Sequence, residues 1–427
     1  MRTRGHMQRA SLLIALSLCL AACQSNGAGN TEPGQGDSTA AAGATENVPE
    51  QQSFSEWLDD LRDEAMAAGV SGDTFDSAFA AVRVNPEIVA KDQDQSEFTK
   101  PVWSYLDSAV SPERVANGKI KQTENQIQLN TAAKQYGVPA EIILAIWGLE
   151  SAYGANTGGY NVIEALATLA YDGRRPQVFR EQLIDALLIL EAGDIDAMAM
   201  RGSWAGAMGQ TQFMPSAFRQ YAVDGDNDGK RDIWGDQADV FGSTANYLVK
   251  KGWRAGESWG AEVKLPRDFP WEQAEIDIKK PVAEWRKLGV RLANGAELPA
   301  VASQASVIAP AGHRGPAFIV YENFHTILAY NYSSAYALAV GHLADRIAGG
   351  GPLMASWPRD DMPLTKDERI ELQERLADLG YDPGGVDGVV GPKTRTALRQ
   401  YQRSIGEIPD GYPTSQLLQQ LKDSAPS

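Results

Sequence analysis

Residues 138–154 read VPAEIILAIWGLESAYG, and this stretch limits the fold more than any other. Pro139 stands where a helix can start and Gly154 where one can end. At 3.6 residues per turn, Ile143, Ile146 and Glu150 fall on one face. A chain that builds this helix must bury its apolar surface, and it carries a carboxylate into that surface near the C-terminal end. Two effects then favour the neutral acid: loss of water around the charge, and the negative end of the helix dipole. Both move Glu150 from about 4.3, the value of free Glu, towards the range of about 6–7 that suits a general acid. The alternative is a Glu that reaches solvent from the helix end, and periodicity alone does not choose between the two.

Three further stretches carry chemistry. GSWAGAMGQTQFMPSAF (202–218) holds Gly202, Gly206 and Gly209, which let backbones approach closely. Its Gln210 and Gln212 are side chains that can hydrogen-bond sugar hydroxyl or acetamido groups. A tight loop-to-helix packing motif with Pro215 opening a helix accounts for the glycines but not for two Gln among apolar neighbours. DGDNDGKRDIWGDQAD (224–239) places Asp224, Asp226 and Asp228 at positions 1, 3 and 5 of an EF-hand loop, with Gly229 at position 6. Position 7 offers the carbonyl of Lys230. Position 12 should be Glu and is Gly235, so Asp236 or Asp239 would have to close the loop. Such a loop suits a structural Ca²⁺; the plainer reading is a solvated acidic turn. ILAYNYSSAYALAVGHL (327–343) sets Tyr330, Asn331 and Tyr336 ahead of a helix, a mix of ring faces and polar edges that fits a sugar subsite or equally a Tyr-rich core.

The beginning of the chain reads as a targeting segment. Arg2, Arg4 and Arg9 precede the apolar run Leu12 to Leu20, which is too short to span a bilayer. Leu20-Ala21-Ala22-Cys23 resembles the lipobox of bacterial lipoproteins, which makes Cys23 the expected lipid attachment site. The two cysteines, Cys19 and Cys23, both lie here, so a disulfide, thiolate metal site or Cys nucleophile in the remainder is excluded. Residues 24–52 are Gly, Ala, Ser, Thr and acid, and read as a disordered linker. Gln24 follows the Cys; by resemblance to enteric lipoproteins, where Asp there favours inner-membrane retention, the outer membrane is the expected address.

Residues 53–350 are mostly helical in pattern, with a few short strands expected in 260–325. Ser53 or Ser55 caps the first helix, whose Trp57, Leu61 and Ala65 recur every four residues. A Gly- and Pro-rich linker, 351–364, precedes a small domain at 365–423 that reads as three helices. Thr365 with Glu368 forms a capping box, Pro392 opens the second helix and Thr414 the third. The formal charge is −16, from 55 Asp+Glu against 39 Lys+Arg, which argues against nucleic acid as a partner. His6, His313, His325 and His342 show no metal-ligand spacing.

Taken together, these stretches resemble the membrane-bound lytic murein transglycosylase B family over about residues 54–350. ESAYG corresponds to that family's catalytic Glu motif, and GAMGQTQFMPS is highly specific for it. The acidic loop matches the family's longer-than-usual EF-hand, which implies Asp239 as the closing ligand. The resemblance implies a mainly α fold: a lysozyme-like catalytic domain with a few short strands, then a three-helix peptidoglycan-binding domain, carried by YDPGGVDGVVGPKTRTALRQYQ. It further implies Glu150 as the sole acid/base, with no cofactor for catalysis, and Ser203, Gln212, Phe213, Tyr247, Tyr330, Asn331, Tyr336 and Tyr105 as groove residues. The expected partner is the peptidoglycan glycan strand, cleaved between N-acetylmuramic acid and N-acetylglucosamine to give 1,6-anhydro ends. The expected place is the periplasmic side of the outer membrane. Two alternatives remain at this point. A hydrolytic muramidase would take a second carboxylate from Glu164, Asp172 or Asp185. A wall-binding scaffold would have no need of Glu150.

Overall fold

The computed structural model describes residues 52–93 and 101–424. Cys23, its leader and nearly all of the linker that follows lie outside the described residues. Within them the chain forms seventeen α-helices and a few short strands. Capping chemistry sets several helix starts. Ser53 and Glu56 form a capping box at Phe54–Ala67, and Thr365 and Glu368 form another at Lys366–Asp378. Thr414 accepts the Leu417 N–H at the start of Ser415–Asp423.

The helix Ala140–Ser151 runs through the middle of the largest core. Every residue from Ile142 to Ser151 is buried. The one-faced pattern expected from Ile143, Ile146 and Glu150 is therefore too weak: the helix is enclosed on all sides, as its all-round apolar sequence requires. It packs against Ser334–Ile347, Pro112–Glu124, Gln126–Tyr136 and Gln237–Lys250. The helix also ends earlier than Gly154, at Ser151, where Ala152 turns left-handed.

Strands occur in the 260–325 stretch, as the alternation there predicts. They form a five-stranded antiparallel sheet in the order Lys280–Pro281, Gln304–Ile308, Ala317–Val320, Gly260–Lys264, Arg291–Leu292. The sheet has its own core around Trp285, Val307 and Ile319, all fully buried. A two-stranded ribbon, Tyr160–Asn161 with Arg201–Gly202, had no alternating signal in the sequence. It is too short to show a period.

The C-terminal helices close a third core around Leu372, Leu376, Leu398 and Leu417. Buried Gln373 clamps the turn before Pro392, accepting the Asp387 and Gly388 N–H groups and donating to the Val389 carbonyl. This unit is docked on the sheet. Glu275 accepts from Arg395 and Arg399 at 2.6–2.9 Å, and Asp410 meets His313 Nδ1 at 2.6 Å. The segment leading to it is pinned as well. Met354 and Ala355 N–H groups bond Glu262, Arg359 forks onto Asp107, and Trp357 lies 6.2 Å from Trp103.

Candidate active site

Glu150 sits in the last turn of the enclosed helix, 7% exposed. The turn that ends this helix is costly. Ala152, Tyr153 and Gly154 all have positive φ (50°, 60° and 82°), and each non-glycine residue there costs about 1–2 kcal/mol. Specific contacts hold the turn in place. Ser151 Oγ accepts the Gly154 N–H at 3.1 Å and donates to the Trp147 carbonyl. The Tyr153 ring folds back over Gly148, where a Cβ would meet it at 2.6 Å, and its hydroxyl donates to the Arg114 carbonyl at 2.9 Å. Arg114 in turn donates to the Gly148 carbonyl. The position of Gly148 is thus dictated by close approach: any side chain there would displace Tyr153.

The Tyr336 hydroxyl donates to Glu150 Oε1 at 2.6 Å. Burial pushes the Glu150 carboxyl up to about 7, and the Tyr336 bond opposes that shift. Tyr336 is pushed far up in turn, first by burial and then by the facing carboxylate, so it stays a donor. Tyr105 and Tyr330 also feel the Glu150 charge after the larger effect of burial. Among the described residues, no neighbouring carboxylate contributes to the Glu150 shift. Of the second acids considered from sequence, Asp185 is paired with Arg219 and Glu164 lies against Asn85. Asp172 is exposed at a helix end.

An aromatic wall stands beside this pair. Phe213, Tyr247 and Tyr330 have ring centroids 4.8–5.7 Å apart. Tyr330 donates to the Thr211 carbonyl and Tyr247 to the Ala329 carbonyl. Their hydroxyls are therefore spent within the protein. Tyr330 closes the helix Glu322–Tyr330 and Asn331 caps it, while Tyr336 lies inside Ser334–Ile347. The 327–343 stretch is thus two helices with the site at their junction, not a loop ahead of one helix; the apolar residues on both sides hid the break.

In the 202–218 stretch, Ser203 Oγ accepts the Ala205 and Ala207 N–H groups and shapes the turn. Gln212 has φ 51° and donates to the Gly209 and Thr157 carbonyls. Gln210 does not face a ligand. Its oxygen accepts from Trp147 Nε1 and its nitrogen donates to the Trp234 carbonyl, both at 2.8 Å, and it is 5% exposed. It joins the enclosed helix to the acidic loop. This role, like those of Arg114 and Tyr153, was not legible beforehand: the partners lie 34–63 residues apart, beyond any local period.

In the acidic loop, carboxylate oxygens of Asp224, Asp226 and Asp239 lie within 4.8 Å of one another. Asp228 is outside that group and accepts the Lys230 N–H. Asp239 is 1% exposed and accepts the Gly225 and Asp232 N–H groups, which closes the loop. Burial, with the Asp236 and Asp226 charges, pushes it up to about 6. Three crowded acids, one buried, are a donor set that fits a hard cation. The loop's link to the enclosed helix runs through Gln210.

Comparison with known proteins gives a consistent picture. Residues 53–345 match the transglycosylase SLT domain, and 365–421 match a peptidoglycan binding domain. The structure of SltB3 from Pseudomonas aeruginosa in complex with NAG-anhNAM-pentapeptide is 52% identical, with a TM-score of 0.83, and the match covers 87% of this chain and 100% of that one. The Escherichia coli lytic transglycosylase Slt35 in complex with bulgecin A is 30% identical with a TM-score of 0.59, over 68% of this chain and 92% of that one. Membrane-bound lytic murein transglycosylase B of Escherichia coli is 35% identical over 251 residues, 57% of this chain and 66% of that protein, so the match spans just under two thirds of its length. The family match over residues 53–345, more than half of the chain, shows that it belongs to the transglycosylase SLT domain family of lytic transglycosylases.

Proposed function

We propose that this enzyme cleaves the bond between N-acetylmuramic acid and N-acetylglucosamine in peptidoglycan without water, with Glu150 as its one acid/base. The observation that carries this is a buried carboxyl near 7 whose hydrogen-bond partner is a phenol and whose shift, among the described residues, owes nothing to a second acid. Neutral Glu150 protonates the glycosidic oxygen as the C1–O bond breaks. The sugar's 2-acetamido group steadies the positive centre, as in substrate-assisted glycosidases. Ionised Glu150 then takes the proton of the muramyl 6-hydroxyl, whose oxygen bonds to C1 and closes the 1,6-anhydro ring. Holding that hydroxyl over C1 is worth effective molarities of about 10⁵–10⁸ M. Tyr336 holds the carboxyl in position. Tyr105, Ser203, Gln212, Phe213, Tyr247, Tyr330 and Asn331 make up the groove. P. aeruginosa SltB3 has been captured with NAG-anhNAM-pentapeptide, a fragment of the kind this reaction makes.

The same reading takes Asp224, Asp226 and Asp239 as ligands of a structural Ca²⁺, with Asp228 and the Lys230 carbonyl beside them. Slt35 has been solved in complex with calcium. Residues 365–423 bind wall and do not cut. Cys23 carries a lipid that holds the enzyme on the periplasmic side of the outer membrane. Mass spectrometry of digested wall tests the reaction: anhydro-muramyl ends are expected, and reducing ends in their place would make the enzyme a hydrolase.

A further inference from the structure

We propose that Tyr332 is a stacking platform for a sugar ring of the bound glycan, next to the reacting pair; this rests on the glycan-cleaving activity proposed above. Tyr332 is 72% exposed, although the residues on either side of it build the site. Two positions before it, Tyr330 is half-buried with its hydroxyl on the Thr211 carbonyl. Four positions after it, Tyr336 holds Glu150. Among the described residues, no aromatic ring stacks on Tyr332 and no hydrogen bond engages its hydroxyl.

A single exposed aromatic is ordinary on a protein surface. The position of this one sets it apart. The junction that carries it is fixed on both sides: Asn331 is extended (φ −146°, ψ 119°) and closes one helix, the Ser333 N–H donates to the Asn331 carbonyl at 2.7 Å, and Ser333 Oγ caps the next helix through the Tyr336 N–H. A rigid loop presents the ring with little ordering entropy left to lose on binding. Four residues span at most about 14 Å, so Tyr332 stands on the same short junction that delivers Tyr336 to Glu150. A tyrosine ring offers an apolar face with a polar edge, which complements the C–H face and hydroxyl rim of a pyranose. Because Glu150 is already held by Tyr336, the role of Tyr332 is to bind chain, not to move protons.

The test is steady-state kinetics on defined glycan chains of increasing length. Tyr332→Ala is expected to raise KM for long chains about tenfold, the effect of losing one stacked ring. It should leave kcat within about twofold and the melting temperature unchanged, and Tyr332→Phe should keep the wild-type KM. A wild-type KM for Tyr332→Ala at every chain length overturns the proposal, and so does a Phe variant as weak as Ala. A wild-type enzyme that releases no anhydro-muropeptide overturns the activity and this proposal together, whereas an active wild type with an unaffected Ala variant overturns this one alone.

Discussion

Glu150 and Asp239 are both buried carboxylates pushed towards neutrality, to about 7 and about 6, yet their surroundings differ in kind. Glu150 sits among apolar and aromatic side chains and receives a phenol hydrogen bond. Asp239 receives two backbone N–H groups and faces the charges of Asp226 and Asp236. In the first setting the proton can leave and return with little rearrangement, because the carboxyl's hydrogen-bond partner is the Tyr336 side chain rather than loop backbone. In the second, the backbone of the loop is folded around an anion, and a bound cation would relieve the repulsion. A raised pKa therefore does not name a site's chemistry; the atoms around the carboxyl do.

The sharpest way to break this comparison is Glu150→Gln. Size and one acceptor are kept, but no proton can be given or taken. General acid–base catalysis is worth about 10²–10⁴-fold, and because one group serves both half-steps the loss of kcat should reach the top of that range. Stability moves the other way. The folded value of Glu150 lies above its ordinary 4.5, so the stability tied to its neutral form is complete below 4.5 and is lost as pH rises through about 7. Removing the charge should raise stability at pH 8 by up to roughly 3 kcal/mol, and leave it unchanged at pH 4. A variant that cleaves wall within tenfold of wild type, or that melts below wild type at pH 8, would contradict a catalytic acid held in an apolar pocket.

Tyr336→Phe probes the same pocket with a smaller effect. The phenol bond stabilises the ionised carboxylate, so its loss should push Glu150 higher still. The high-pH limb of the rate profile should move to higher pH while kcat falls by about 10-fold as the carboxyl loses its orientation. An unmoved limb would show that Tyr336 does not face the reacting group during turnover.

The two sites also differ in how much of each was legible in the sequence. The acidic loop is a local motif: its spacing named Asp224 and Asp226, the missing Glu at Gly235 left Asp236 or Asp239 to close it, and the family resemblance favoured Asp239, which the structure brings into the cluster. Asp228 fitted the spacing but not the cluster, because its carboxylate is turned to the Lys230 N–H. Around Glu150 the sequence offered a helix and a stripe, but not the enclosure. That depends on Tyr336, 186 positions away, and on Tyr153 folding back under the helix. The caps at Ser53, Thr365 and Thr414 were readable because they act over three residues. The docking of the C-terminal helices onto the sheet was not, since its pairs span more than 90 residues.

The acidic loop yields the next prediction. Calcium at a hundredfold excess over its Kd should stabilise the native protein by about 2.7 kcal/mol, read as a rise in melting temperature. Magnesium should do less, because a flexible ring of carboxylates suits the larger ion. Asp224→Ala should abolish the calcium shift and leave kcat at low temperature within about twofold. Equal responses to both ions would reduce the loop to a solvated turn, and a large loss of kcat in Asp224→Ala would mean that the Gln210 link carries more than support.

Glu275 supplies a third carboxylate environment and the smallest expected effect on catalysis. Burial alone would raise it, but its bonds to Arg395 and Arg399 hold it below the ordinary carboxylate range. A depressed value means that the stabilisation from these pairs is present above 4.5 and is lost as pH falls through the lower, folded value. Docking of the C-terminal unit on the sheet should therefore loosen in acid, whereas the Glu150 pocket is at its most stable there. Glu275→Gln should mimic that loosening at neutral pH. Arg399 is 5% exposed and would be left with an uncompensated charge, at a cost of about 1–3 kcal/mol after allowing for the partial exposure of the pair. Hydrogen exchange should rise in residues 365–421 and in the sheet strands beneath, with no change in the helix Ala140–Ser151. Turnover of short soluble glycans should stay within about twofold of wild type, while retention on insoluble wall falls. Uniform protection in Glu275→Gln would show that the apolar contacts hold the two units without their ion pairs, and a matching loss of kcat would show that the docked unit helps to shape the groove around Glu150.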